Sequence, residues 1–180
     1  MSISCIDLLY VFRWPIVTHF SFSSEPYGGD ADVRTTYCAF AISGMLNDWS
    51  GVRIEPALRF IAACRVSRLL PVTRILSRSW PPQSYEGGYG QVPFAEAAGT
   101  LCLQPLSSVL IVLGGPTYCA LASIFLASRG SCLTEGDRKQ TIRWLTQNQV
   151  SSGGHRGRTN KEADACYSFW CGASLSVSLS

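Results

Sequence analysis

Residues Gly153 to Trp170 read GGHRGRTNKEADACYSFW, a short run that combines basic, acidic, thiol and aromatic side chains. Asp164 and Cys166 are both residue types that bind zinc, one through oxygen and one through sulfur. Residues two apart inside a helix point about 200° away from each other and cannot share an ion. They can share one at a helix start, with Asp164 as an extended N-cap and Cys166 in the first turn. The following ACYSFWCGASLSV favours a helix, so the pair is a candidate metal site, although isolated Asp-x-Cys pairs are also common without metal.

Two cations precede the same predicted helix. Arg158 and Lys161 lie three residues apart in a polar segment that contains glycine. Cations beside a helix N-terminus form a site for an anion, and a diphosphate fits its charge. The alternative interpretation is a basic turn that is simply solvated, and the pattern alone does not decide between the two.

A repeated plan runs through the chain. Three units each contain a Gly-Gly pair, a polar connection, and then a tyrosine beside a cysteine that opens an apolar helix. Amphipathic helices fall between these units, and such recurring helix pairs predict a solenoid or a closed helical toroid. The expected inner helices lie near Thr35 to Leu46, Thr117 to Ser128 and Ala165 to Ser178, and the expected outer helices are Glu55 to Ala63 and Thr134 to Asn148.

The run G-R-T-N-K-E-A-D-A-C-Y-S-F-W resembles the zinc and diphosphate segment of protein prenyltransferase β subunits, in particular those of protein geranylgeranyltransferase type I. Three further stretches resemble the same family: Asp32 to Gly51, Tyr85 to Ala97 and Gly114 to Ala127. Within the first of them, the string Met-Leu-Asn-x-Trp-Ser-Gly is characteristic of the type I enzyme. The resemblance implies an all-α fold, an incomplete α/α toroid of helical hairpin repeats.

The resemblance also implies which side chains form the site. Asp164 and Cys166 match two zinc ligands that take part in catalysis, and the third ligand, a histidine, would lie beyond Ser180. Neither His19 nor His155 matches that histidine. The residues that match the diphosphate site are Arg158, Lys161 and Tyr167. Arg34 and Tyr37 match positions at the pocket wall, near the peptide carboxylate and the lipid chain, and Trp170 matches a pocket aromatic. A histidine of the family's diphosphate site falls on Leu113 here, and without the resemblance Tyr37, Tyr118 and Trp170 would be interpreted as ordinary core residues.

The function implied by the resemblance is transfer of geranylgeranyl from its diphosphate to the cysteine thiol of proteins with a C-terminal CaaX sequence. It implies zinc as the cofactor, a prenyltransferase α subunit as the partner, and a cytoplasmic location; farnesyl transfer is the alternative chemistry. The missing zinc ligand and the missing diphosphate histidine favour a second hypothesis for this chain. In that hypothesis it is a truncated, catalytically inactive helical remnant or an interaction module.

Two segments interrupt the repeat and look like insertions. Residues 66–83 have arginines within an apolar run, and residues 98–113 end in a strand-like apolar run. Removing both makes the spacing from Cys38 to Cys119 equal to the spacing from Cys119 to Cys166. We interpret them as translated non-coding sequence, with genuine loop insertions as the alternative. The expected organisation is an unrelated segment at 1–24 and a partial toroid domain at 25–180.

Composition excludes other classes of protein. A net charge of +3 with scattered arginines gives no basic face for nucleic acid. Charged residues within the first twenty-two positions argue against a transmembrane segment or a signal peptide there. The eight cysteines fall mostly among small apolar residues, so we expect buried free thiols, with Cys38 and Cys119 packing helices.

Overall fold

The computed structural model describes residues 22–25, 28–65, 87–93, 114–128, 132–157 and 161–179. Within these ranges the chain forms five helices, and their bounds are α1 Val33–Leu46, α2 Ile54–Ala63, α3 Gly114–Leu126, α4 Glu135–Gln147 and α5 Ala165–Leu179. Two short antiparallel ribbons join them, made by β1 Ser23–Glu25 with β2 Gly28–Ala31 and by β3 His155–Arg156 with β4 Ala163–Asp164. All five predicted helices are present, and the ribbons are a small addition to the predicted all-α fold.

The helices alternate between two roles in the packing. The apolar α3 lies between α1 and α5 and packs against both. The more polar α4 packs against α5, and α2 packs against α1. The prediction of paired inner and outer helices is therefore confirmed.

Polar side chains determine where α1 and α4 begin. The Asp32 carboxylate accepts hydrogen bonds from the backbone N–H groups of Arg34 and Thr35, and the Thr35 hydroxyl accepts from the Asp32 N–H. This capping box satisfies N–H groups that would otherwise lack partners, so α1 begins two residues before the predicted Thr35. Thr134 and Asp137 form the same reciprocal arrangement at the start of α4.

The start of α3 also differs from its prediction. The helix begins at Gly114 rather than at Thr117, because the Gly-Gly-Pro sequence forms its first turn. Pro116 lacks an N–H and is compatible with the first turn, where amide groups have no partner inside the helix. The Gly114 N–H donates instead to the Gly157 carbonyl at 3.2 Å, which ties α3 to the segment before α5.

The segment 87–93 crosses between four helices and connects them through its backbone. The Gln91 carbonyl accepts from Val33 N–H at the start of α1, and the Gly90 N–H donates to the Cys64 carbonyl after α2. The Tyr89 N–H donates to the Thr117 hydroxyl of α3, and the Thr141 hydroxyl of α4 donates to the Gly87 carbonyl. Buried backbone groups need such partners, so this segment is a hub of the fold.

Tyr89 itself is 1% exposed and belongs to the main core, whose other fully buried side chains include Val33, Phe40, Ile61, Cys64 and Leu121. A second, smaller core joins Trp144 and Leu145 of α4 to Cys171 of α5.

An ion pair at the edge of the hub connects Arg65 after α2 to Asp137 of α4, and the same guanidinium donates to the Asp137 carbonyl and to Gln140. Hydrophobic burial thus holds the helix pairs together, and polar contacts connect one pair to the next.

The expectation of buried thiols holds for three of the six described cysteines. Cys64, Cys119 and Cys171 are buried, and burial raises their pKa to about 12, about 12 and about 11. Cys38, Cys132 and Cys166 are exposed. The prediction was therefore wrong for Cys38, because the buried face of α1 carries Val33, Thr36, Ala39, Phe40 and Ser43 and leaves position 38 outside.

All of the residues interpreted as insertions lie outside the described ranges, as do residues 1–21, so the proposed boundaries stay predictions. Among the helices that the structure describes, none combines the length and the apolar character that crossing a membrane requires.

Candidate active site at the start of α5

The backbone at the start of α5 has the conformation that the Asp164–Cys166 hypothesis assumes, an extended Asp164 followed by a helical Cys166. Asp164 ends the extended strand β4, and its Oδ1 accepts the Tyr167 N–H at 2.8 Å, as an N-cap side chain does. Cys166 lies in the first turn and is exposed, like Asp164. The cap uses Oδ1, and no hydrogen bond joins Oδ2 to the residues that the structure describes.

A serine one turn into α5 fixes this start against the β3–β4 ribbon. The Ser168 hydroxyl donates to the Asp164 carbonyl at 2.8 Å and accepts the His155 N–H at 3.0 Å. His155 and Asp164 are also direct partners across the ribbon. The backbone around Asp164 is therefore held on both sides before any ligand binds.

The donor set for a metal ion is partial. Within the described ranges, no group of three or more His, Cys, Asp and Glu side chains is placed to hold a metal. Asp164 and Cys166 supply an oxygen and a sulfur donor, a combination that suits zinc. Zinc binding at this pair stays a prediction.

Lys161 and Tyr167 of the predicted diphosphate site lie together. The Lys161 ammonium lies over the Tyr167 ring, with its Nζ 5.3 Å from the ring centroid. Lys161 is exposed and Tyr167 is half-buried. A cation and a phenol hydroxyl at the N-terminus of α5 are groups that suit an anion, and we call this pair the diphosphate cradle. Arg158, the third predicted member, lies outside the described residues.

Aromatic side chains form a row across the three inner helices. Tyr37 of α1 contacts Tyr118 of α3, with ring centroids 5.5 Å apart and hydroxyl oxygens 3.4 Å apart. Tyr118 then contacts Phe169 and Trp170 of α5, at 5.9 and 5.1 Å between centroids. The hydrogen bond with Tyr118 raises the pKa of Tyr37 to about 12, so its hydroxyl stays protonated at neutral pH. This row defines one apolar surface that reaches α5.

Arg34 has a structural partner of its own. Its guanidinium Nε and Nη2 donate to Asp32 Oδ2 at 2.8 and 2.5 Å, at the N-terminus of α1. The Asp32 side chain is 5% exposed and the Arg34 side chain 49% exposed. Part of the Arg34 side chain thus remains available to solvent, and its predicted role at the pocket wall stays a prediction.

Sequence reasoning missed two members of the aromatic row. Tyr118 was not among the predicted site residues, yet it is half-buried and joins Tyr37 to Trp170. Phe169 was not singled out, yet it is 59% exposed. The sequence repeat could have indicated Tyr118, because Tyr37 and Tyr118 occupy equivalent places in successive Tyr-Cys pairs.

His155 has a buried nitrogen without a hydrogen bond. The side chain is 7% exposed, and Nε2 finds no partner within the described residues. Burial lowers the pKa of His155 below its ordinary value of about 6.5, because the charged form is poorly solvated there.

We expect His155→Leu to make the free energy of unfolding depend less on pH in mild acid. A histidine with a lowered folded-state pKa takes up its proton more readily in the unfolded chain, so stability falls as pH drops below about 6.5 and is unaffected above it. Removing the unsatisfied nitrogen should also raise the free energy of unfolding at pH 7.5 by about 1 kcal/mol. Urea unfolding of both proteins at pH 7.5 and 5.5 measures this difference in pH dependence. His19 is present in both proteins, so any effect of its protonation is common to them. Parallel losses in the two proteins would show that His155 does not carry the effect.

Comparisons with known proteins agree with this architecture. Residues 17–68 and 81–179 match the family described as the prenyltransferase alpha-alpha toroid domain. The chain is 35% identical over 165 residues to the geranylgeranyl transferase type-1 β subunit of Arabidopsis thaliana, an alignment that covers 87% of this chain and 35% of that protein. It is 38% identical over 153 residues to the Dictyostelium discoideum protein of the same name, covering 85% of this chain and 33% of that protein. It is 30% identical over 149 residues to the farnesyltransferase β subunit of Pisum sativum, covering 83% of this chain and 27% of that protein.

A solved structure supports the same fold. The Candida albicans protein geranylgeranyltransferase-I complexed with GGPP superposes with a TM-score of 0.66 and 21% identity, over 96% of this chain and 44% of that chain. The chain spans about a third of the length of the type-1 relatives. The predicted α/α toroid architecture is confirmed by the family match together with this fold likeness. The chain therefore belongs to the prenyltransferase α-α toroid family and is similar to the β subunits of protein prenyltransferases.

Proposed function

We propose that this chain contributes the metal-binding and diphosphate-binding part of a protein geranylgeranyltransferase type I β subunit. The enzyme would transfer geranylgeranyl from its diphosphate to the cysteine thiol of a protein ending in a CaaX sequence. It would act in the cytoplasm as a heterodimer with a prenyltransferase α subunit. The observation that carries this proposal is the arrangement at the start of α5. Cys166 and Tyr167 lie in its first turn, Asp164 caps that turn, and the Lys161 ammonium lies over the Tyr167 ring.

Lys161 and Tyr167 would bind the diphosphate. As the bond to the isoprenoid breaks, negative charge develops on the departing diphosphate, and a nearby ammonium and a phenol donor stabilise it. The N-terminus of α5 adds a favourable dipole in the same place. Arg158 would add a second cation from the same segment.

Asp164 and Cys166 would hold zinc, with a further ligand supplied from outside the described residues. Bound zinc lowers the pKa of a coordinated thiol, so the substrate cysteine can exist as thiolate at neutral pH. The backbone hydrogen bonds around Asp164 orient its carboxylate, and a carboxylate oxygen suits a metal partner. Cys166, exposed at the helix start, is accessible to the same ion.

The aromatic row would bind the isoprenoid chain. Tyr37, Tyr118, Phe169 and Trp170 present ring surfaces without a charged group, and burying them against a lipid removes apolar area from water. The row passes from α1 across α3 to α5, close to Lys161 and Tyr167, so a lipid along it would reach the diphosphate cradle. The row itself does not distinguish farnesyl from geranylgeranyl, and farnesyltransferase β subunits are among the relatives.

A non-catalytic helical module is the second candidate. It is favoured by one observation, the absence of a third metal donor among the described residues. Such a module would retain the fold and bind an α subunit without transferring lipid.

A transfer assay separates the two candidates. The 180-residue chain is co-purified with an α subunit and mixed with zinc, geranylgeranyl diphosphate and a CaaX peptide, beside a β subunit completed with the remaining repeats. We expect no transfer by the chain itself and zinc-dependent transfer by the completed subunit. Transfer by neither protein would contradict the proposed enzyme, and transfer by the chain itself would contradict the helical-module hypothesis.

A further inference from the structure

Gly157 makes an unusually close contact with the ring of Tyr167. A Cβ atom added at Gly157 would lie 2.2 Å from Tyr167 Cζ, 2.3 Å from Cε1 and 2.4 Å from Cε2. These similar distances place the added atom over the face of the ring at its hydroxyl-bearing end. Real Cβ atoms do not approach other heavy atoms closer than 3.0 Å, so only glycine allows this stacking.

The same ring contacts a second glycine. A Cβ atom at Gly114 would lie 3.3 Å from Tyr167 Cδ1 and 2.9 Å from Cys171 Sγ. The two glycines are joined by the hydrogen bond from Gly114 N–H to the Gly157 carbonyl, and Gly157 is buried. The Tyr167 ring therefore packs against two backbone segments that are bonded to each other, at both ends of the ring.

From this geometry we propose that Gly157 is a positioning residue for the Tyr167 hydroxyl. The inference rests on the proposed function, in which that hydroxyl donates to the diphosphate. Exposed side chains exchange between staggered rotamers by rotation about the Cα–Cβ bond within nanoseconds. A ring face held against backbone cannot follow that rotation, so the hydroxyl is fixed before the diphosphate binds, which is where preorganised donors act most strongly.

Lys161 completes the arrangement. Its ammonium is held at 5.3 Å from the ring centroid, so the cation and the hydroxyl depend on the position of the same ring. A methyl group at Gly157 would displace the ring and carry both groups of the diphosphate cradle with it. Displacements of about 1 Å at such sites lower rates by about a hundredfold.

The contact can be tested in the 180-residue chain without any activity. Fluorotyrosine is placed at position 167 alone, with fluorine on Cε, and its 19F resonance is recorded. We expect Gly157→Ala to shift this resonance, because the fluorine-bearing edge must move. Gly172→Ala is the matched control within α5, since a Cβ there meets nothing within 4 Å, and it should leave the resonance in place. An unchanged resonance in Gly157→Ala would overturn the proposal.

The functional consequence is tested in the completed heterodimer. We expect Gly157→Ala to lower kcat about 10- to 100-fold while changing KM for the CaaX peptide little. In a Tyr167→Phe background the hydroxyl is absent while Lys161 still has a ring to lie over, so the same substitution should lower kcat several-fold less than it does in the parent protein. An equal loss in both backgrounds would overturn the positioning role, because it would show a general structural defect. If the wild-type heterodimer transfers nothing, the proposed function fails, and the 19F comparison still decides the contact between Gly157 and Tyr167.

Discussion

Gly87→Ala will lower the free energy of unfolding by about 3 kcal/mol or more, a large part of the stability of a typical domain. Two causes add. Gly87 has φ of +103°, a conformation that costs any residue with a side chain about 1–3 kcal/mol. An alanine Cβ there would also lie 2.4 Å from the Gln140 carbonyl oxygen and 2.9 Å from the Thr141 nitrogen, both backbone atoms of α4 that cannot rotate away.

The consequence extends beyond one contact, because Gly87 begins the hub segment 87–93. Its carbonyl accepts from the buried Thr141 hydroxyl, and the following residues connect α1, the end of α2 and α3. Moving Gly87 away from α4 would break that hydrogen bond and loosen Tyr89, which is almost fully buried. Thermal and urea unfolding followed by circular dichroism measure the change.

Gly90→Ala is the matched control for this effect. Gly90 is buried in the same segment, but its added Cβ would meet its nearest atoms at 3.6 and 3.8 Å, which are ordinary contacts. We expect it to cost less than about 1 kcal/mol. Equal losses in the two variants would show that burial of the segment, rather than the approach of Gly87 to α4, determines the stability.

The helices could be predicted from the sequence because local and long-range signals agree in them. Apolar runs following Tyr-Cys pairs lie where α1, α3 and α5 form, and the prediction for α4 ended within a residue of its observed end. The starts were less accurate, because capping depends on partners that the periodicity does not reveal. Asp32 extends α1 toward its N-terminus, and the Gly157 carbonyl allows α3 to begin at Gly114.

In the predicted site too, the features that depend on local conformation could be predicted, and those that depend on packing between distant segments could not. The extended Asp164 followed by a helical Cys166 was predictable, since it depends on local conformation at one helix start. The contact of Tyr167 with Gly157 and Gly114 was not, because it depends on how α3 packs against the segment before α5. The exposure of Cys38 was missed for a related reason: a helix built largely of small and apolar residues does not by itself reveal which face is buried.

Cys166→Ala will abolish zinc-dependent transfer in the completed heterodimer, with a loss larger than the 10- to 100-fold typical of changes around a metal site. Removing the sulfur donor of the proposed site leaves Asp164 alone of the pair, and catalytic zinc sites use about three protein ligands. Because Cys166 is exposed in the first turn, its truncation creates no cavity in the core, so the protein should unfold at nearly the same temperature.

Cys132→Ala is the control for this prediction. Cys132 is also exposed but lies just before α4 rather than at the start of α5, so its loss should leave transfer and metal content unchanged. The measurements are transfer of geranylgeranyl to a CaaX peptide and the zinc bound per heterodimer after dialysis. We expect Cys166→Ala to lose both together, since the bound metal and the activation of the substrate thiol depend on the same side chain. Full zinc content and normal transfer in Cys166→Ala would refute the assignment of this cysteine as a ligand, while loss of transfer with zinc retained would give the thiol a role apart from holding the metal.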